Sequence, residues 1–183
     1  MIKKSLITLI LLVVFSCGKT TNDNIYKTKG GEYASKTGNF VADFPTEPKY
    51  SVIDNKLGLD EFQIHIFRST LGVNKLFILE YVDYPEHMIK SMTDEQIYTQ
   101  SINNLTHKME ESFFLDYQES IEHNGLSGEY YVLKTNQELK EKGVEGMALG
   151  RIFRVENRVY NISYLGENDK NIDSFIDSFR LLK

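Results

Sequence analysis

The chain has 183 residues, of which 41% are hydrophobic and 26% charged, values that fit one globular domain with short appendages and exclude both a disordered polar chain and a protein embedded in the bilayer throughout. A net charge of −5 speaks against nucleic-acid binding, which needs clustered Lys and Arg, and against adhesion to anionic lipid by charge alone. A single cysteine, Cys17, excludes an intramolecular disulfide.

Met1 to Lys4 is a short basic segment, and Leu6 to Phe15 is an apolar run interrupted only by Thr8. At ten residues this run is short of the roughly 20 that a helix needs to span a bilayer, so it reads as the core of a signal peptide over residues 1–16. The run ends in Val14-Phe15-Ser16-Cys17-Gly18, which resembles the lipobox of bacterial lipoproteins: an aliphatic residue, a small residue, then the obligatory Cys. The resemblance implies that diacylglycerol is joined to Cys17, that the bond before it is cut, and that a palmitate-type acyl chain is added at the new amino terminus. Two or more chains hold a protein stably on a bilayer, whereas one does so only marginally. Loss of Lys3 and Lys4 with the signal peptide takes the charge from −5 to about −7. Gly18 after the Cys, rather than Asp, leans toward the outer membrane of the cell envelope. Residues 17–37 then read as the lipidated Cys and a flexible tether, and 38–183 as a single domain.

Within that domain, Phe40, Ala42 and Phe44 alternate up to Pro45, the pattern of a strand leaving into a turn. Tyr50 to Ile53 is a short strand. Leu59 to Phe67 alternates Phe62, Ile64 and Ile66 against polar residues. Lys75 to Tyr84 is apolar on both faces and predicts an inner strand, closed by Pro85. Thr93 and Gln96 have the spacing of a capping box, and Ile97, Ile102, Leu105 and Met109 then recur as the stripe of a helix over 94–111. Phe113 to Ile121 and Glu129 to Lys134 are strands around a turn at Gly125 to Gly128. Gln137 to Gly146 is highly charged and reads as an exposed loop. Met147 to Val155 and Arg158 to Leu165 are strands around Glu156-Asn157. Glu167 to Asp169 offer a cap for a last helix carrying Ile172, Phe175, Ile176 and Phe179. The sum is α+β: a central antiparallel sheet of six to seven strands with helices packed on its faces.

Five short patterns in this order resemble the PsbP-like superfamily, which includes the Mog-type Ran-binding proteins and many small bacterial lipoproteins. They are Phe40, Phe44, Pro45 and Pro48; Tyr81, Asp83, Tyr84 and Pro85; Gly125, Gly128 and Glu129; Arg151, Phe153, Arg158 and Tyr160; and Phe175, Ser178 and Phe179. The resemblance covers residues 39–183 and implies an α/β/α sandwich that binds other proteins. It carries no shared catalytic centre and no binding residue.

Catalytic templates are not met. Gly125-Leu126-Ser127-Gly128-Glu129 has Glu where a nucleophile elbow needs its last Gly. Gly143, Gly146 and Gly150 fit neither a dinucleotide loop nor a Walker loop. His65, His87, His107 and His123 form no compact metal-ligand spacing. The expectation is therefore no enzyme, no cofactor and no metal. Instead it is a lipid-anchored module that meets a protein partner through exposed aromatics, with Tyr130, Tyr131, Tyr160 and Tyr164 mostly in the core. A ligand-binding or enzymatic pocket is the alternative. It requires Glu86, His87, Glu122, His123, Arg151 and Arg154 to converge.

Overall fold

The computed structural model describes residues 25–143 and 145–182, so Cys17, the signal peptide and the start of the tether lie outside the described residues. The described chain runs β1 (Ile25–Lys27), β2 (Tyr33–Ser35), β3 (Phe40–Ala42), β4 (Lys49–Leu57), β5 (Asp60–Thr70), β6 (Lys75–Asp83), α1 (Glu86–Ile89), α2 (Asp94–Met109), β7 (Phe113–His123), β8 (Leu126–Thr135), α3 (Gln137–Glu141), β9 (Met147–Val155), β10 (Arg158–Gly166), α4 (Asn171–Ser178) and β11 (Arg180–Leu181). Seven strands form one antiparallel sheet in the order β4-β5-β6-β10-β9-β8-β7. A second sheet has the order β1-β2-β3-β11.

The alternation of large apolar residues dictates the layers. Phe67, Phe77, Leu79, Tyr81, Phe153 and Tyr164 point from the main sheet into one core, closed by Phe40 of β3 and Phe44 just after it, and by Phe175 of α4 and Phe179 at its end. Rings mesh there at productive angles: Phe153 stacks on Phe179 at 5.3 Å and 8°, and Phe77 meets Phe175 edge-on at 5.3 Å. On the opposite face α2 lays Ile97, Tyr98 and Ile102 over Tyr131, Leu133 and Ile152. The capping box is formed: Thr93 Oγ1 accepts from the Gln96 N–H at 3.2 Å, and the Thr93 N–H donates to Gln96 Oε1 at 2.9 Å.

Several expectations are corrected. Residues 25–35 are not a tether: β1 pairs with β2 and β2 with β3, and the Arg180 guanidinium grips the Glu32 carboxylate at 2.5 and 2.7 Å. The strand at Phe40 belongs to this second sheet rather than to the main one. The turn between β7 and β8 is the two-residue Asn124-Gly125 at φ 52° and 77°, the geometry that matches strand twist, so Gly128 lies within β8. Gln137–Glu141 is a helix capped by Asn136, with Leu139 buried, and not a bare loop. Leu59 sits in the β4–β5 turn at 96% exposure. The inner position of β6, between β5 and β10, is as the apolar run predicts.

Gly128 is where the sheet has no room for a side chain. A Cβ there would lie 2.4 Å from the Ile152 carbonyl oxygen and 2.5 Å from the Phe153 ring, which lies flat across the strand. Gly128→Ala is expected to lower stability by about 1–3 kcal/mol, seen as a reduced Tm. Asp169 is the second testable point. Its carboxylate receives the Lys75 ammonium at 2.5 Å and the Asn171 N–H at 2.8 Å, and these bonds pull its pKa down to about 2. The folded value lies below the ordinary 3.8, so the stabilisation is present above about pH 4 and disappears as pH falls toward 2. Asp169→Asn should flatten the stability–pH curve in that window, measured by urea unfolding at each pH.

Candidate docking interface

The six residues that a pocket would need are distributed over separate local contacts. Glu86 pairs with Lys90 one helical turn on, at 3.3 Å, and His87 Nε2 meets Asp60 at 3.1 Å. Glu122 accepts from the Ser127 hydroxyl at 3.0 Å. Arg154 donates to the Ile89 and Met92 carbonyl oxygens, to Asp94 at 3.0 Å and to the Glu156 carbonyl oxygen, so it ties the α1–α2 corner to β9. Arg151 points to the other face of the same strand, three residues away. It donates to His123 Nδ1 at 3.1 Å and to Asp177 at 2.5 Å. Since a guanidinium only donates, Nδ1 accepts, and Nε2 carries the proton it gives to the Phe179 carbonyl oxygen at 3.1 Å. His123 and Arg151 meet there, but the other four stand elsewhere.

The remaining histidines have structural surroundings. His65 stacks on Tyr81 at 4.4 Å and 6° and meets the Tyr50 hydroxyl at 2.7 Å. His107 is exposed and bonded to Glu110 at 2.9 Å. Among the described residues no group of three His, Cys, Asp or Glu is arranged for a metal ion.

Tyr131, Tyr160 and Tyr164 are buried, and burial pushes the Tyr164 hydroxyl up to about 12. Tyr130 is half-buried, which also raises its pKa. It lies on β8, the strand next to the outer edge of the main sheet. There, among the described residues, β7 has β8 on one side and no strand on the other. Phe114, Leu115 and Tyr117 are 42%, 36% and 48% exposed. A bulge between Leu115 and Tyr117 switches the facing of the strand, so Leu115 opposes Leu133 while Tyr117 opposes Val132. Tyr117 meets Tyr130 edge-on at 6.2 Å, and the Lys140 ammonium lies 5.8 Å over the Phe114 ring.

The face of β7 that looks toward α2 is different in kind. Here an open groove of about 390 Å³ runs between the first turn of α2 and β7–β8, lined by Asp94, Glu95, Tyr98, Ser120, Glu122 and Glu129. Glu129 is only 8% exposed and receives Gln118 Nε2 and Ser120 Oγ, each at 3.0 Å. No cation of the described residues forms an ion pair with it.

Sequence reasoning missed this edge, although a signal was present. Phe113-Phe114-Leu115 are consecutive, and a strand of period two cannot bury all three on one face. The carboxylate of Glu129 beside the run Tyr130-Tyr131-Val132-Leu133 is a second signal.

No protein-family model matches the chain, and no curated protein matches its sequence. Solved structures do. The solution structure of PsbP from the cyanobacterium Synechocystis superposes with a TM-score of 0.51 at 12% identity, over 91% of this chain and 97% of that one. A Bacteroides thetaiotaomicron protein matches at a TM-score of 0.42 and 11% identity, over 89% of this chain and 50% of that one. A Pseudomonas aeruginosa protein of unknown function matches at 0.33 and 12%, over 80% and 84%. The cyanobacterial match, read with the seven-stranded antiparallel sheet and its helices, shows the fold of this chain to be PsbP-like α+β.

Proposed function

We propose that the domain is a non-enzymatic docking module, held on a membrane of the cell envelope by acylated Cys17, that receives a partner protein at the outer edge of β7. The observation that carries this reading is the run of Phe114, Leu115 and Tyr117, each more than a third exposed on a strand whose second edge pairs with no strand among the described residues. Exposed apolar side chains on a free edge are a hazard that folded proteins blunt or cover, so a stretch left in this state is the natural seat for a partner. The dispersal of the six polar residues supports the same reading against a pocket enzyme. The fold by itself names no partner. The membrane assignment rests on the apolar run ending in Val14-Phe15-Ser16-Cys17, and the outer membrane on Gly18.

Two measurements test the two parts. Cells fed radioactive palmitate should label the parent chain and not Cys17→Ala, which should also leave the membrane fraction; equal labelling removes the anchor. A photo-crosslinking side chain placed at 114 or 117 should trap one discrete adduct in cells, absent from the same probe at Leu59 or Val73, which are more exposed still. Adducts of equal yield from all four positions would overturn the docking reading.

A further inference from the structure

We infer that the partner presents an extended segment of alternating character, with Lys or Arg at every second residue and apolar side chains between them, added as a strand to β7. The inference rests on the docking reading above and deepens it by naming what the edge accepts.

The argument begins with the period of a strand. Successive side chains of an added strand fall on opposite faces of the sheet, so one half meets the α2 side and the other half the reverse side. The two sides of β7–β8 have different chemistry. On the α2 side stand Gln118, Ser120 and Glu122, with Glu129 one strand further in, in the groove it shares with Asp94 and Glu95. On the reverse side stand Tyr117, Ile121, Tyr130 and Val132. Glu119 is also on that side, engaged by the Tyr117 hydroxyl at 2.6 Å.

Charge selects the occupant. The β7–β8 hairpin carries Asp116, Glu119, Glu122 and Glu129 against a single Lys134, which Asp116 already holds at 2.8 Å. A second copy of this chain would set the same carboxylates against each other, and like charges facing across strands destabilise the pair. A basic segment is attracted instead. Glu129 lies two strand spacings from an added strand, about 10 Å, a span bridged by an extended Lys or Arg side chain meeting a Glu but not by a shorter polar residue. Its carboxylate is nearly buried, is held by two neutral donors, and opens on a groove of about 390 Å³. A guanidinium or ammonium entering that groove supplies the counter-charge. The bulge at Leu115/Tyr117 interrupts the regular edge, so the alternating segment pairs along Tyr117–His123 and its continuation passes Leu115 and Phe114.

The test uses the full chain in non-ionic detergent micelles and three fluorescent eight-residue peptides. One alternates Lys with Val and Tyr, one has the same composition with all Lys at one end, and one alternates Glu with Val and Tyr. Anisotropy titrations should show the alternating Lys peptide binding at least about tenfold tighter than either control. Glu122→Gln and Glu129→Gln should each weaken it by about fivefold or more, and salt should weaken it further. Glu122 is exposed, so its variant keeps the test valid if Glu129→Gln fails to fold. Equal binding of the segregated peptide, tighter binding of the Glu peptide, or unchanged affinity in Glu122→Gln and in any folded Glu129→Gln overturns the inference. In that case discrete crosslinks from positions 114 and 117 leave the docking reading standing, and their loss as well removes both.

Discussion

Strands β6 and β10 share nine backbone pairings between Lys75–Asp83 and Arg158–Gly166, and through them the first three strands of the main sheet are joined to the last four. The partners are 75 residues apart at the near end of the ladder, where Arg158 opposes Asp83. The pairing is reinforced there: the Arg158 guanidinium takes both oxygens of Asp83 at 2.6 Å and lies 4.3 Å over the Tyr81 ring. The central role of this ladder follows from the connection after β6, which leaves the middle of the sheet, forms α1 and α2, and re-enters at the far edge as β7. The meander β7–β8–β9–β10 then works back inward until β10 meets β6. Folding must close this long loop before the aromatic core can form, a non-local step that is slow by nature.

The same path explains why the two edges of the sheet differ. The second sheet and α4 cover one face, and α2 covers β7 to β9 on the other. Strand β7 is the first strand laid down after the crossover, and the later strands all add on its inner side. Its outer side therefore keeps a free row of backbone groups, and its side chains remain those of a boundary: apolar on one side, carboxylate on the other.

Much of the fold was legible in the residues, for reasons that are local. The Thr93–Gln96 reciprocal cap, the two-sided apolar run of β6 and the Asp169 carboxylate that accepts from the first N–H of α4 are each specified within a few positions, so their signals survive without tertiary context. Strands β1 and β2 were not legible because three residues are too few to show a period. They are ordered by partners far along the chain, with Glu32 bound to Arg180 and Tyr160 donating to the Gly38 carbonyl oxygen at 2.8 Å. The exposed edge was not legible: Tyr130, Tyr131, Tyr160 and Tyr164 read together as mostly core, and exposure of Phe114 depends on which strand ends up outermost, a fact of topology and not of composition.

The Arg180–Glu32 clamp has a mechanical meaning. Tension pulling on the chain ahead of Ile25 enters through β1, whose three pairs with β2 would open one after another like a zipper. The load then meets β2–β3 and the guanidinium–carboxylate grip that fastens this small sheet to the carboxyl-terminal strand. Load entering there falls first on these short ladders of two or three pairs and only afterwards on the nine-pair ladders of the main sheet.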